Sequence, residues 1–298
     1  MHATTTARAI PQRTMRARIK GRAFQSLAGR TLVFVIAALG AIGFLIPFLW
    51  AVSTSLKADA NVLVFPPQWI PRPIMFSNYP KALTQIPFHL FYRNSAFITL
   101  MCLIGNVVTS VMVAYGFARL EFPGRGVLFM ILLGTMMLPP QVTMIPVFMG
   151  WRVLGKVDTY FPLIVPSYFG SAFYIFLLRQ FFMTIPLDFE DAARIDGATR
   201  AQLLWHIIIP LAKPAIATVA IFSFMAHWQD FFGPLIYIST RAKYTVPLGL
   251  RMFRNEYGGD QWNLMMAATV VSILPSLTLF FSAQRFFVTG IVMTGVKG

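Results

Sequence analysis

Ile185-Pro-Leu-Asp-Phe-Glu-Asp-Ala-Ala-Arg-Ile-Asp-Gly-Ala-Thr-Arg-Ala-Gln-Leu-Leu-Trp-His-Ile-Ile-Ile-Pro210 is a charged island in an apolar chain. Four of the chain's ten acids, Asp188, Glu190, Asp191 and Asp196, fall within nine residues of it. The pattern predicts two short helices with a break at Asp196-Gly197. Asp188 is placed to cap the first helix, whose acids suit the positive end of the helix dipole. Gly197 supplies the permissive backbone of the turn, and Thr199 is placed to cap the second helix. There Leu203, Leu204, Ile207 and Ile208 make one apolar stripe, and Pro210, which has no amide donor, redirects the chain. Spacing alone leaves two readings open. The island is either an amphipathic connector lying on a membrane surface or a docking element whose small Ala192 and Ala193 admit a partner closely.

Outward from the island lie long apolar stretches, Tyr160–Phe182 before it and Pro214–Ile238 after it. Four more follow the same pattern: Thr31–Val52, Ser95–Ala118, Val127–Gly150 and Leu264–Phe287. A helix crosses the hydrocarbon core in roughly 20 residues. The fold class is therefore read as an all-α polytopic membrane protein with six transmembrane helices, or five if Pro139, Pro140 and Pro146 disqualify the third. Pro166, Pro234 and Pro275 also fall in or near spans, either as kinks that shape a cavity or as kinks packed by neighbours. Composition agrees. Of 298 residues, 57% are hydrophobic and 12% charged, against about 25% charged in soluble domains. A water-soluble monomer of this size could not hide so much apolar surface.

The net charge is +15, from 25 Lys+Arg and 10 Asp+Glu. No basic run is interleaved with stacking aromatics, so nucleic acid is not the expected partner. The basic residues read instead as topology signals and as contacts to membrane lipid headgroups. Residues 1–30 form a basic leader with Arg8, Arg13, Arg16, Arg18, Lys20, Arg22 and Arg30 and no acid; residues 31–298 form the transmembrane domain. If both termini share one side, that side collects 15 of the 25 basic residues, seven from the leader and eight elsewhere, which makes it the cytoplasmic one. The first stretch is too long for a cleaved signal and lacks a small-residue cleavage site. The single cysteine, Cys102, allows no intrachain disulfide. His2, His89 and His206 form no ligand cluster, so no metal site is expected.

Asp191-Ala192-Ala193, three residues, Gly197, nine residues and Ile207-Ile208-Ile209-Pro210 together resemble the EAA loop of bacterial ABC importer permeases. That pattern reads Glu-Ala-Ala, three residues, Gly, nine residues, Ile-x-Leu-Pro; here Asp191 replaces Glu and Ile209 replaces Leu. Trp228-Gln229-Asp230-Phe231-Phe232-Gly233-Pro234-Leu235-Ile236 is similar to the Trp-Asn-Asp-Phe-x-x-Pro-Leu segment of sugar permeases. Asn78-Tyr79, Asn94-Ser95, Tyr244–Leu250 and the ending Gly290–Gly298 extend the likeness across most of Asn78–Gly298. The chain closely resembles the smaller six-span subunit of maltose-type importers.

The resemblance implies a type I ABC importer fold in the bacterial cytoplasmic (inner) membrane. Its partners would be a second permease subunit, two ATPase subunits and an extracytoplasmic solute-binding protein. Glu190, Asp191, Ala192, Ala193, Asp196, Gly197 and Pro210, within a cytoplasmic coupling loop at 185–210, would couple to the ATPase. The chain would be no enzyme and hold no cofactor, with ATP and Mg²⁺ on the partner ATPases. Gly150-Trp-Arg-Val-Leu-Gly155-Lys156-Val157 imitates a phosphate loop. Val157, however, stands where a magnesium-holding Ser or Thr belongs, and no strand precedes it.

The solute would be a sugar, a di- or oligosaccharide or related polyol. Asp230 is the one acid in a predicted span, and such residues usually face the bundle interior or water. With His227, Trp228 and Gln229 it forms a candidate solute pathway, aromatic faces on sugar rings and polar groups on hydroxyls. The competing reading is a polar clamp between helices or an acid near the outer interface. Consecutive helical residues diverge by about 100°, so all four cannot line one pore. Two other classes compete. An ion-coupled secondary carrier would show inverted repeats and several intramembrane charges, and a non-transporting membrane receptor would need no ATPase-docking loop.

Overall fold

The computed structural model describes residues 12–254 and 260–295, with side-chain surroundings for 29–254 and 260–284. Most of the leader's side chains, the side chains of the Gly290–Gly298 motif and its residues 296–298 lie outside the described residues. The chain divides into two compact units, Met1–Ser53 and Thr54–Gly298. The described part of the first is helical and belongs to helix α1 (Gln12–Ser55). It holds no charged residue from 31 to 55, and its Gly29–Ser55 part is long and apolar enough to cross a membrane.

The second unit is built on α3. Short α2 (Asn78–Gln85) leads into α3 (Phe88–Arg119), 32 unbroken residues, about 48 Å long. The C-terminal half of α3 buries Val111, Ala114 and Tyr115 against Ile175, Leu178, Phe182, Ile208 and Val219. The N-terminal half buries Phe88 and Phe91 against Val246, Met252, Phe253 and Leu264. The asparagines of the two sequence pairs serve backbone carbonyls. Buried Asn78 Nδ2 donates to Ser55 O and Lys57 O, each at 2.8 Å, and Asn94 Nδ2 donates to Ala242 O and Tyr244 O at 2.9 and 3.0 Å.

Four described helical stretches are long and apolar enough to cross a membrane, or up to six if each of two bent pairs counts as one span. The expected third span, Val127–Gly150, is such a pair, not a single helix. Helices α4 (Arg125–Thr135) and α5 (Pro140–Val153) meet at 95°. Pro140 lacks an amide donor and forces Pro139 into extended backbone, with ψ at 132°, so the helix cannot run through. The fourth span, Phe161–Thr184, is broken within its length. Helix α6 (Phe161–Ile164) passes through a 3₁₀ turn at Val165–Phe169 to Gly170, whose φ is +81°, and resumes as α7 (Ala172–Thr184). After α7 come α8 (Asp188–Ile195), α9 (Arg200–Leu203), a π turn at Leu204–Ile208 and α10 (Ile209–Leu211).

The predicted span Pro214–Ile238 is also interrupted. Helix α11 (Lys213–Trp228) ends before Asp230, and α12 (Phe232–Tyr237) starts after it. Asp230 thus sits at a helix break and not within a helical span. The segment Arg200–Leu211 meets α11 at 80°, so the chain turns at Ala212, two residues beyond Pro210. Short α13 (Val246–Leu250) precedes α14 (Trp262–Gly295), which contains Pro275 and covers the sixth span.

Gly105 lets the broken fourth span approach α3. A Cβ there would stand 2.8 Å from the Tyr168 ring and 3.1 Å from the Ser167 carbonyl carbon. Gly105→Leu should leave insertion intact and lower the unfolding midpoint in detergent by several degrees, as overpacking costs about 1–3 kcal/mol. An unchanged midpoint would mean the contact is loose.

Candidate functional site

The loop after α7 folds largely as its residues dictate. Asp188, Glu190 and Asp191 occupy the first turn of α8 and Arg194 its last, an order that suits the helix dipole. Asp188 does not cap the helix, contrary to expectation. The cap position is Leu187, with no side-chain hydrogen bond, and Asp188 already lies inside the first turn. Gly197 ends α8 with φ of +83°, its N–H donating to Arg194 O at 3.0 Å while Ala198 N–H donates to Ala193 O at 2.9 Å. Such a turn needs the left-handed backbone that glycine tolerates. Thr199 caps α9, and Gln202 completes the box. Gln202 N–H donates to Thr199 Oγ1 at 3.4 Å and Thr199 N–H to Gln202 Oε1 at 2.8 Å. Leu203, Leu204 and Ile208 are buried and Ile207 is half-buried, so the apolar stripe packs inward.

Glu190 is the only buried residue of α8. Its Oε1 lies 2.7 Å from Arg119 Nε at the last turn of α3, with the two side chains 0% and 5% exposed. Arg119 also donates from Nη2 to Ile185 O at 2.6 Å. Arg194 closes the other side, 3.6 Å from Glu190 Oε2 and 3.2 Å from Asp191 Oδ1. Asp191, Ala192, Asp196, Gly197 and Pro210 are exposed and Ala193 is half-buried. Sequence reasoning missed two things here. One is Arg119, counted there only as a topology charge. The other is the set of large apolar side chains exposed on the loop: Leu187, Phe189, Ile195 at 87% and Trp205. Beside them Ala193, Asp196, Gly197 and His206 line a hollow of about 310 Å³. Exposed apolar groups rimmed by charge are characteristic of an interaction surface.

His227, Trp228, Gln229 and Asp230 do not share one space. His227 Nδ1 lies 2.7 Å from Ser223 O, which can only accept, so Nδ1 carries the proton and Nε2 faces Ser167 Oγ at 3.3 Å. Trp228 is buried, donates from Nε1 to Ser272 O at 3.0 Å, stacks on Phe224 and meets Tyr92 edge-on. Asp230 Oδ1 accepts from Gly233 N–H at 3.0 Å, in the first turn of α12, whose cap position is Phe231. Gln229 is exposed and, with Trp228, lines a largely apolar cavity of about 620 Å³ that also touches Phe222, Met225 and Ser276. His227 and Trp228 thus tie the end of α11 to the Val165–Phe169 turn and to α14, whereas Asp230 bonds locally.

At the N-terminal end of α3 a second polar cluster joins two loops. Asp158, with φ of +59°, accepts at Oδ1 from Ser239 N–H (3.0 Å) and Thr240 N–H (2.9 Å). Its Oδ2 accepts from Thr240 Oγ1 at 2.6 Å and pairs with Lys243 Nζ at 3.0 Å. These donors, Thr240 above all, hold the carboxyl well below the usual carboxylate range. The nearby phosphate-loop imitation is the end of α5, where Leu154 N–H donates to Gly150 O. A helix C-terminus presents carbonyls and repels phosphate. Among the described residues no three His, Cys, Asp or Glu side chains gather to hold a metal ion.

The model of the family described as "Binding-protein-dependent transport system inner membrane component" matches residues 106–292. The chain is 32% identical to the sulfoquinovosyl glycerol transport system permease protein SmoH of Agrobacterium fabrum, over 91% of this chain and 95% of that one. It is 30% identical to the arabinooligosaccharides transport system permease protein AraQ of Halalkalibacterium halodurans, over 83% and 86% respectively. Among solved structures it resembles a chain of a bacterial ABC transporter involved in the import of the acidic polysaccharide alginate. The TM-score is 0.75 and the identity 28%, over 95% of this chain and 100% of that one.

The Asp158 cluster predicts a pH dependence. A carboxyl whose folded pKa is depressed stabilises the fold fully above its unfolded value of about 4 and loses that contribution as pH falls toward the folded value. Asp158→Asn should lower the unfolding midpoint by several degrees at pH 7, and the gap from the unaltered protein should shrink below pH 4. A gap that ignores pH would assign the effect to packing instead.

Proposed function

Because the chain belongs to the binding-protein-dependent transport system inner membrane components, we propose that it is the smaller membrane subunit of an ATP-driven sugar importer. The solute is a di- or oligosaccharide or a related polyol. The sugar class is supported by the relatives, whose names specify sulfoquinovosyl glycerol, arabinooligosaccharides and alginate. The observation that carries the coupling reading is the α8–Gly197–α9 loop at the C-terminal end of α3. It exposes Asp191, Ala192, Phe189 and Ile195 together, a surface of charge and apolar groups that fits a protein cleft better than water.

In this reading α8 seats in a cleft of a partner ATPase. The ATPase pair closes on ATP and Mg²⁺, pushes α8, and tilts the spans as rigid bodies, so that the pathway opens to the other side. ATP chemistry stays on the partners, and this chain binds no cofactor of its own. A second permease subunit completes the pathway and an extracytoplasmic binding protein delivers the solute. The loop end of α3, which carries Arg119, Arg194 and Arg200, faces the cytoplasm, and so do both termini. An ion-coupled carrier gains no support from Asp230, which sits at a helix break and accepts from Gly233 N–H.

The first test is purification in mild detergent from native membrane with identification of every co-purifying polypeptide. Recovery of an ATPase and a second permease is expected; recovery of the chain alone under several detergents would overturn the importer reading. Gly197→Pro should insert normally yet abolish uptake, since proline is fixed near φ −65° where the turn has +83°. Normal uptake from an assembled variant would remove the loop from the coupling path.

A further inference from the structure

We propose that the buried Arg119–Glu190 ion pair is the joint that carries displacement of α8 into the spans, with Arg119 as a positioning residue. The inference rests on the coupling reading of α8 and adds to it where the force enters the membrane domain.

Helix α8 has no apolar side chain in the core, and Glu190 is its only buried residue. Its one fully buried side chain is therefore held by charge, 2.7 Å from Arg119 Nε. An apolar contact permits sliding at little cost. A desolvated ion pair resists separation, because each partner would be left charged in a poor solvent for charge. Such a pair fixes register, which is what a joint requires. Arg119 also binds Ile185 O at the end of α7, so one guanidinium gathers α3, the exit of α7 and α8.

The lever is α3 itself. It is unbroken from Phe88 to Arg119, whereas two segments packed on it, Phe161–Thr184 and α11–α12, are interrupted. Its far end is fastened too. Asn94 holds the carbonyls of Ala242 and Tyr244, and Ser95 Oγ accepts from Val246 N–H at 2.8 Å. A push on Glu190 is thus delivered about 37 Å away, to the loop that Asp158 and Lys243 close.

The test uses the complete importer, purified with its partners. Cys102→Ser removes the native thiol, and Ala242→Cys, at an exposed position, reports the far end by its rate of maleimide labelling. Rates are compared without nucleotide and with ATP, Mg²⁺ and vanadate, alongside ATPase activity. In the otherwise unaltered complex nucleotide should change the rate at least threefold. Glu190→Gln and Arg119→Met should retain bound, active ATPase yet abolish that change. The exchange Arg119→Glu with Glu190→Arg should restore at least half of it, and Arg119→Lys should keep a large part.

Full nucleotide response in either single variant overturns the proposal. So does an assembled exchange variant as defective as the singles, which would point to local packing and not pairing. Loss of the ATPase from every variant that breaks the pair, Arg119→Lys remaining normal, would make the pair a docking support and also overturn it. If the unaltered chain yields no ATPase at all, the coupling reading itself fails, an outcome the variants do not share.

Discussion

Backbone amides and carbonyls within hydrocarbon need partners inside the protein, and this chain breaks several of its membrane helices. Side chains of the unbroken α3 supply many of the missing partners. Asn94 donates to the carbonyls of Ala242 and Tyr244, Cys102 to Leu163 O at 3.2 Å, Thr109 to Ser167 O at 3.5 Å and Arg119 to Ile185 O. Each acceptor lies at or near a place where another segment leaves regular helix. Gly105 belongs to the same face, since only a missing side chain allows the Val165–Phe169 turn to come within reach. The long helix therefore acts as a rail against which irregular segments satisfy their backbones.

The scarce acids work in a related way. Glu190 pairs with Arg119, Asp158 with Lys243, and Asp191 with Arg194, while Asp230 accepts from Gly233 N–H in the first turn of α12. The first two close junctions between elements; the Asp191 pair lies within α8. Their energetics differ with burial. The Asp191–Arg194 pair is solvent-exposed and contributes at most about 1 kcal/mol. The Glu190 pair is buried, so its net stabilisation is small, but removing one partner leaves a charge without water and costs about 3–5 kcal/mol. Its value lies in geometry more than in stability.

Local signals in the sequence were the readable ones. The turn at Gly197, the cap at Thr199 and the inward stripe of Leu203, Leu204 and Ile208 all follow from residues within a few positions of each other. Asp188 was misread because Leu187 already occupies the cap site and α8 starts one residue earlier in effect. Hydropathy located the spans but not their continuity. It sums composition over about 20 residues and does not register that Pro140 forbids helix at Pro139, or that α11 stops at Trp228. The Arg119–Glu190 pair was invisible for another reason. Its partners are 71 positions apart (190 − 119), and no periodicity links them. The same holds for Trp228 with Ser272 O and for Asp158 with Thr240.

A rigid element flanked by breakable ones has a mechanical consequence. Continuous helix resists bending, while bends collect at prolines, glycines and irregular turns. In the Thr54–Gly298 unit the bends fall at Pro139-Pro140, Gly170, Ala212 and Gln229–Phe231. A stiff member of that unit is α3, anchored at one end by an ion pair and at the other by amide and hydroxyl hydrogen bonds. Rigid-body alternation between two states needs this division of labour, because soft joints alone would absorb a displacement and stiff helices alone would refuse it. The polar side chains of α3 reconcile the two. They hold the irregular segments to the rail by single hydrogen bonds, strong enough to satisfy a carbonyl in apolar surroundings and few enough to be exchanged as the segments move.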